Sequence, residues 1–88
     1  METNTANLPS SIYLLRYTCT ETGAYVSGIW DAFTTAPKAR KELRAAMQAM
    51  RAQGYTCSVD SPTRDYVILH RIDIGRTYEL YIEPLPIH

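Results

Sequence analysis

One stretch of the chain repeats its apolar residues with the spacing of a helix. The repeated positions are i, i+4, i+7, i+8 and i+11, occupied by Ala39, Leu43, Ala46, Met47 and Met50. This spacing places them on one helix face. Thr35 is a typical N-cap, Pro37 suits the first turn, and Gly54 can adopt the left-handed conformation that ends a helix. The pattern predicts one amphipathic helix between Thr35 and Gly54.

Five other stretches are rich in aromatic and β-branched residues and predict β-strands. They are Ser11–Cys19, Ala24–Phe33, Tyr55–Asp60, Tyr66–Asp73 and Thr77–Glu83. A turn at Thr20–Gly23 joins the first two strands, and a turn on Gly75 precedes the last. We expect a bulge near Gly28. Pro84 and Pro86 are expected to end the last strand, because proline cannot donate to a ladder.

The elements follow the order β-β-α-β-β-β, with short connections that favour antiparallel neighbours. We therefore predict an α+β fold: an antiparallel sheet of about five strands, with one amphipathic helix packed on one face. Four consecutive apolar residues in the fourth strand predict a central place in the sheet. At 88 residues the chain has room for one domain, residues 11–88, after a flexible polar tail at residues 1–10. The second sheet face is expected to meet water, a partner or another copy.

Charge is balanced overall but unevenly distributed. Nine Lys and Arg match nine Asp and Glu, so the chain has no net charge. That balance argues against a general nucleic-acid binder. Between Lys38 and Arg51 there are five basic residues and one acidic residue, net +4, which leaves four basic and eight acidic residues, net −4, elsewhere. The predicted helix is therefore a basic element in an otherwise acidic protein.

Basic side chains form a row on the predicted helix. Arg40, Arg44 and Arg51 lie at i, i+4 and i+11 and share one side, with Lys38 and Lys41 beside them. Basic residues near a helix N-terminus are unfavourable for the helix dipole, so stability alone does not explain them. The row predicts either a surface for phosphate, acidic protein or anionic lipid, or a solvated helix face.

Tyrosine dominates the aromatic residues: the chain has seven, against one Phe and one Trp, and all seven lie in or beside predicted strands. Alternation in the last strand places Tyr81 opposite Leu80 and Ile82, between Glu79 and Glu83. Tyrosine is favoured at interfaces, but it also has a high β propensity in monomers. The pattern predicts an acidic-aromatic patch that is either a partner-binding surface or an ordinary wet sheet face.

Residues suited to catalysis or metal binding are few and scattered. Cys19, Cys57 and His70 lack C-x-x-C or H-x-x-x-H spacing, so we predict no metal and no cofactor. A Cys57/His70 nucleophile pair would have the right residue types, but no glycine-rich elbow surrounds it. We predict that the chain is not an enzyme. Two cysteines without an export signal are expected to be small buried side chains, and the lack of a signal or long apolar run predicts a cytoplasmic location.

Common small nucleic-acid-binding folds do not fit the element order. A double-stranded-RNA-binding domain begins and ends with helices, and an RNA-recognition motif needs two helices and aromatic sheet segments. A helix-turn-helix also needs more than one helix. The single predicted helix argues against all three.

The segment IYLLRYTCTETGAYVSGIWDAFTT followed by APKARKELRAAMQAMRAQGY, from Ile12 to Tyr55, resembles in layout many short proteins of bacteriophages and mobile elements. These include anti-CRISPR proteins, which bind and block a host defence protein. The resemblance implies a stand-alone interaction protein without catalysis, whose partner is a host protein such as a defence nuclease complex. It contains no diagnostic motif, so no functional residue carries over from it.

Two functions remain open from the sequence. The first is a non-enzymatic protein-binding module, a phage- or mobile-element-encoded inhibitor that sterically blocks a host defence protein. The second is a nucleic-acid or phosphate-binding accessory protein that uses the basic helix face. The candidate partner-binding residues are Arg40, Lys41, Arg44, Arg51, Tyr81, Glu79 and Glu83. A homodimer through an exposed sheet edge is also open, and no membrane partner is expected.

Overall fold

The computed structural model describes residues 11–87, and the predicted tail at residues 1–10 lies outside the described residues. The elements are β1 (Ser11–Glu21), β2 (Ala24–Phe33), α1 (Ala36–Ala52), β3 (Thr56–Asp60), β4 (Tyr66–Arg71) and β5 (Arg76–Pro86). A single 3-10 turn, Ile72–Ile74, connects β4 to β5. The strands form one antiparallel sheet in the order β2-β1-β5-β4-β3. The predicted α+β fold and element order are confirmed.

The last strand of the chain, β5, lies in the middle of the sheet. β5 lies between β1 and β4, while β2 and β3 form the two edges, so α1 crosses the sheet to join edge to edge. The fourth strand is interior, with β5 and β3 on its two sides, but it is not the middle strand of the sheet. Its apolar run has another cause: Val67 and Leu69 are fully buried under α1, while Ile68 between them points to the other face.

Both ends of α1 are capped as the sequence predicts. The Thr35 side chain accepts a hydrogen bond from the amide of Lys38 at 3.4 Å, and the first turn contains no acidic residue. At the other end Gly54 has φ +100°, and the amide of Tyr55 donates to the carbonyl of Met50 at 3.1 Å. This is the Schellman pattern, in which a left-handed glycine ends the helix.

The apolar stripe of α1 forms the core together with one face of the sheet. All five predicted stripe residues are buried. Fully buried sheet residues pack beneath them: Leu15, Val67, Leu69 and Leu80. Because side chains alternate along a strand, the neighbours of these residues point to the opposite face. That second face has no covering helix within residues 11–87, and we call it the open face.

Pro84 lies within β5 and Pro86 is its last residue, so the strand continues three residues past the end predicted at Glu83. Pro84 and Pro86 pair with β1 and extend β5 past the first residue of β4, Tyr66. The Ile82 amide donates to the carbonyl of Asp65 on the β4 side at 3.0 Å. Alternate residues of a strand point their main-chain nitrogens to the same side, so the nitrogens of both prolines also face the β4 side. β4 begins at Tyr66, so within the described part of the chain no strand lies opposite them there. No ladder bond is lost there, because the strand is locally an edge.

The β1–β2 hairpin is tighter than the sequence indicates. Its turn consists of Thr22 and Gly23 alone, and both have positive φ, 43° and 86°, as a type I′ turn requires. β1 therefore extends to Glu21, two residues beyond the predicted end at Cys19. A turn of this type matches the twist of the two strands and fixes their register.

The predicted bulge lies close to Gly28 but at Trp30. Ile29 and Asp31 pair with consecutive residues of β1, which leaves Trp30 as the extra residue. Gly28 has a different function. A Cβ at this position would lie 3.1 Å from the ring of Tyr17, so the glycine leaves space for that ring beside the strand.

β3 and β4 form a short second hairpin. β3 begins one residue later than predicted, and β4 ends at Arg71 because the following residues turn through the 3-10 segment. The β3 ladder is bulged at Ser58, since Cys57 and Val59 pair with consecutive residues of β4. β3 is therefore a short and irregular edge strand.

Candidate interaction surfaces

Strand register arranges the side chains of the open face in rows across the sheet. The first row is Ile29, Arg16, Tyr81 and Tyr66; the second is Ser27, Thr18, Glu79, Ile68 and Val59; the third is Tyr25, Thr20, Thr77, His70 and Thr56. Each row runs from β2 toward β3. These rows combine aromatic rings, one Arg, one Glu and several hydroxyl groups, with apolar residues near both edges.

The predicted acidic-aromatic patch lies on this face, but it is not purely acidic. Tyr81, Glu79 and Glu83 share one side of β5, as alternation predicts. The structure adds Arg16, whose Nη1 donates to Oε1 of Glu83 at 2.9 Å. This ion pair balances one of the two carboxylates and raises the pKa of Arg16. Sequence analysis missed Arg16, because its proximity to Glu83 depends on β5 lying beside β1.

Glu79 is the centre of a hydrogen-bond network on the open face. Its carboxylate accepts hydrogen bonds from Tyr66 Oη at 2.5 Å and from Thr18 Oγ1 at 2.8 Å. These two bonds, first that from Tyr66, lower the pKa of Glu79 despite partial burial. The bond to Glu79, together with burial, raises the pKa of Tyr66. The network thus holds the Tyr66 ring against β5 and keeps Glu79 ionised.

His70 has other partners than the sequence suggests. Its Nε2 lies 2.7 Å from Ser58 Oγ, and its Nδ1 lies 3.0 Å from Thr77 Oγ1, both on the open face. Cys57 instead packs against the core on the helix side, where its Sγ donates to the carbonyl of Val59 at 3.2 Å. The structure therefore separates Cys57 from His70 by the thickness of the sheet. A Cys57/His70 nucleophile pair is not formed.

The basic row on α1 is divided by an ion pair. Arg44 forms two hydrogen bonds with Asp60 on β3, Nη1 to Oδ2 at 2.8 Å and Nη2 to Oδ1 at 2.6 Å. This bidentate contact raises the pKa of Arg44 and lowers that of Asp60. Arg40, Lys41 and Arg51 are exposed, and the structure shows no ion pair for them within residues 11–87. One of the four candidate binding residues on α1 thus fastens the helix to the sheet, and the other three remain on the surface.

We expect Arg44→Ala to lower the melting temperature, whereas Arg40→Ala should leave it nearly unchanged. The first variant removes the bidentate contact between α1 and β3 and leaves Asp60 without its cation, while Arg40 is exposed. Thermal unfolding followed by circular dichroism at low and high salt is the measurement. The difference between the variants should shrink at high salt, because the ion pair is partly exposed. Equal melting temperatures would show that the contact contributes nothing to stability.

A cavity of about 220 Å³ lies under the C-terminal half of α1, on the helix side of the sheet. Its walls include Trp30, Tyr55 and Tyr78. The cation in the wall, Arg76, is already bonded to Glu21 at 2.7 Å and to the hydroxyl of Tyr55 at 3.3 Å. The cavity is therefore an aromatic cleft whose charged group is used internally.

Other kinds of site are not evident in the described part of the chain. Between residues 11 and 87 no three His, Cys, Asp or Glu side chains are grouped closely enough to bind a metal ion. None of the helices in this range has the length and apolarity to cross a bilayer. Cys19 and Cys57 are both free thiols and half-buried. The open face and the exposed part of the helix row are thus the surfaces from which function can be inferred.

Comparison with known proteins adds no family to these observations. No protein-family model, curated protein or solved structure matches this chain.

Proposed function

We propose that this chain is a non-enzymatic protein-binding module that inhibits a host defence protein by covering part of its surface. The observation that supports the proposal best is the open face. An α+β sheet with a single helix leaves this face without cover in residues 11–87, and its first row places Tyr81 between Arg16 and Tyr66. Tyr and Arg are the residues most enriched in binding hot spots.

The open face is also held in place before any partner arrives. Arg16 is fixed by Glu83, and Tyr66 is fixed by Glu79, so two of the largest side chains beside Tyr81 are already ordered. Ordering a long side chain on binding costs about 0.5–1.5 kcal/mol. A surface whose side chains are fixed in the free protein avoids much of that cost.

The size of the face suits a protein more than a small molecule. Five strands span about 20 Å, and the longest strands measure about 35 Å, which gives a face of roughly 600 Å². A standard protein interface buries about 800 Å² on each partner. The open face supplies most of that area, and the exposed side chains on its rims add to it.

The role as an inhibitor is supported by the resemblance of residues 12–55 to short phage and mobile-element proteins. In this proposal the partner is a nuclease or nucleoprotein complex of host defence, and the chain acts by occupying its surface without chemistry. The separation of Cys57 from His70 agrees with a role without catalysis.

The alternative, a nucleic-acid or phosphate binder, would use the helix row. Arg44 is engaged by Asp60, so the row offers Arg40, Lys41 and Arg51 in place of a continuous line of cations. The two functions differ in their response to salt. Contacts to phosphate weaken steeply as salt rises, whereas an interface built on Tyr81 depends on salt only weakly.

We expect tagged protein, incubated with a lysate of a bacterial host, to retain a stoichiometric protein partner after nuclease treatment and a moderate-salt wash. Tyr81→Ala should reduce retention about 10-fold, which corresponds to a hot-spot loss of about 1.4 kcal/mol. The matched control is the Arg40→Ala/Arg51→Ala double variant, which should retain the partner. Arg44 is left intact in that control because it fastens α1 to β3.

The inhibitor role is tested on the partner so identified. Wild-type protein should inhibit its activity at a stoichiometric ratio, and Tyr81→Ala should not. Retention that is unchanged in Tyr81→Ala would refute the open face as the binding surface. Recovery of nucleic acid alone, lost in the Arg40→Ala/Arg51→Ala variant, would favour the alternative function.

A further inference from the structure

β2 is an edge strand with the side-chain pattern of an interior strand. Within residues 11–87 no strand pairs with its outer side. Tyr25 and Ile29 on the open face are 66% and 57% exposed, and Val26 and Trp30 on the helix side are 55% and 41% exposed. Apolar residues on both faces are typical of a strand that is covered on both sides. A long, exposed, hydrophobic edge is what soluble proteins normally avoid.

The opposite edge is protected in the usual ways. β3 has only five residues, against ten in β2, and is bulged at Ser58. It ends at the charged Asp60, and Pro62 follows in the next turn. Short length, a bulge, charge and proline all discourage strand addition. β2 carries a single charge, Asp31, and no proline, and its own bulge at Trp30 lies outside the segment from Tyr25 to Ile29. A long, exposed apolar edge is therefore a feature of β2 and not of β3.

The hairpin geometry shows which main-chain groups of β2 point outward. In a hairpin with a two-residue turn, the pair that flanks the turn, here Glu21 and Ala24, is hydrogen-bonded. Hydrogen-bonded and non-hydrogen-bonded pairs alternate along an antiparallel ladder. The amide and carbonyl groups of Tyr25, Ser27 and Ile29 therefore point away from β1, toward the unoccupied side.

We propose that two copies of this chain pair through β2, antiparallel and about a two-fold axis at Ser27, to form one ten-stranded sheet. In this register Ser27 lies opposite Ser27 of the second copy, and Tyr25 lies opposite Ile29 of the second copy. Each of these pairs exchanges both of its main-chain hydrogen bonds. The outward groups of all three residues are thereby satisfied.

The strand is complementary to itself, which identifies the occupant as a second copy. Tyr25 and Ile29 stand at equal distances from Ser27, so the two-fold axis makes two aromatic–β-branched pairs, a favourable cross-strand combination. On the helix side Val26 meets Gly28 of the second copy, beside the Tyr17 ring that packs over this glycine. Asp31 lies beyond the paired segment, near the turn of the second copy, so the two carboxylates do not meet.

The contact area predicts a reversible dimer. The four exposed side chains of β2 present roughly 400 Å² in each copy, given the size of aromatic side chains. Both copies together bury roughly 800 Å² before the main chain is counted, below the about 1,200 Å² of stable interfaces and in the range of weak, transient ones. The dimer uses Tyr25 and Ile29 at the β2 edge of the open face and leaves Arg16, Tyr81 and Tyr66 uncovered, so it does not depend on the proposed function.

Sedimentation of the full chain over a series of concentrations tests the dimer. The average molecular mass of the wild-type protein should rise from that of one chain to that of two chains as concentration increases. Ile29→Lys should weaken the association at least about 10-fold, because it places a cation against the apolar edge. Val59→Lys, which places the same cation on the β3 edge, is the matched control and should associate like wild type. Ser27→Pro should also prevent association, since it removes an outward N–H that the β1 ladder does not use.

Amide hydrogen exchange at single residues locates the contact. The amides of Tyr25, Ser27 and Ile29 should exchange more slowly as concentration rises, while those of β3 should not change. A monomer at all concentrations would overturn the proposal, as would a dimer without this protection or an Ile29→Lys variant that still associates. A β2 edge occupied by a different protein, with this chain monomeric, would also overturn it. Tyr81→Ala should dimerise normally, so failure of the proposed function and failure of the dimer are distinguishable.

Discussion

Leu80→Ala is expected to lower the free energy of unfolding by about 3 kcal/mol. Leu80 is fully buried at the centre of the sheet, on β5, and is flanked by Tyr17 on β1 and Val67 on β4. Truncation removes a large apolar side chain from the core and leaves a cavity that these neighbours fill only in part. In a domain of this size such a loss is a large part of the total stability.

Urea denaturation at neutral pH, followed by circular dichroism, measures this loss. Leu85→Ala is the matched control, because it is the same substitution on the same strand, and Leu85 is 42% exposed. Its cost should stay near or below about 1 kcal/mol, since a large part of the side chain remains in water in the folded protein. Equal costs for the two variants would contradict the core described above.

Glu79→Ala is expected to lower the free energy of unfolding by about 2 kcal/mol, although Glu79 lies on the open face. The substitution leaves the hydroxyls of Thr18 and Tyr66 without their acceptor, and Thr18 is buried. Glu79→Gln keeps an acceptor and should lose less. Glu83→Gln is the control for Glu79→Gln, because Glu83 has one bonded partner, Arg16, and a side chain that is 42% exposed.

The same carboxylate gives stability a dependence on pH with a definite sign. The folded state lowers the pKa of Glu79 below its ordinary value, which is about 4.3. The resulting stabilisation is complete above that ordinary value and is lost as the pH falls through the lowered, folded-state pKa. Glu79→Gln should therefore lose less stability than wild type between neutral and acidic pH. Urea denaturation across this range measures the difference, and parallel curves would contradict the assignment.

Local periodicity predicted most of the secondary structure. The helix stripe and its caps depend on residues within a few positions of one another, so the sequence contains all the information. Strand order depends instead on pairing between distant residues. The pattern of the fourth strand could not reveal that β5 inserts between β1 and β4, and the prolines of β5 looked like ends because that local edge was unknown.

The candidate surfaces were likewise predictable only where they depend on residues close together in the sequence. Alternation along one strand was enough to predict that Tyr81, Glu79 and Glu83 share a face. It could not bring Arg16 to Glu83, because that contact joins strands far apart in sequence. Helical spacing predicted the row of arginines, but the position of Asp60 beside Arg44 follows from the path of β3. The sequence of one element therefore predicts which of its side chains share a face, but not which residues of other elements those side chains contact.

If both proposals hold, dimerisation changes how the open face binds. A continuous ten-stranded sheet would present two copies of the first row on the same side. A partner with two equivalent sites could then be held at both, and the second contact would form at high effective concentration. Ile29→Lys would then weaken inhibition of a two-site partner more than inhibition of a one-site partner.

The central position of β5 also determines when the sheet can form as the protein is made. The chain leaves the ribosome from its N-terminal end, so the β1–β2 hairpin and the β3–β4 hairpin emerge before the strand that joins them. β1 pairs with β5 from Ser11 to Pro86, a contact between residues at nearly opposite ends of the described chain. Such distant pairing slows folding, because a long loop must close before the contacts form. The two hairpins are therefore expected to remain separate, with their apolar faces exposed to water, until β5 has been synthesised.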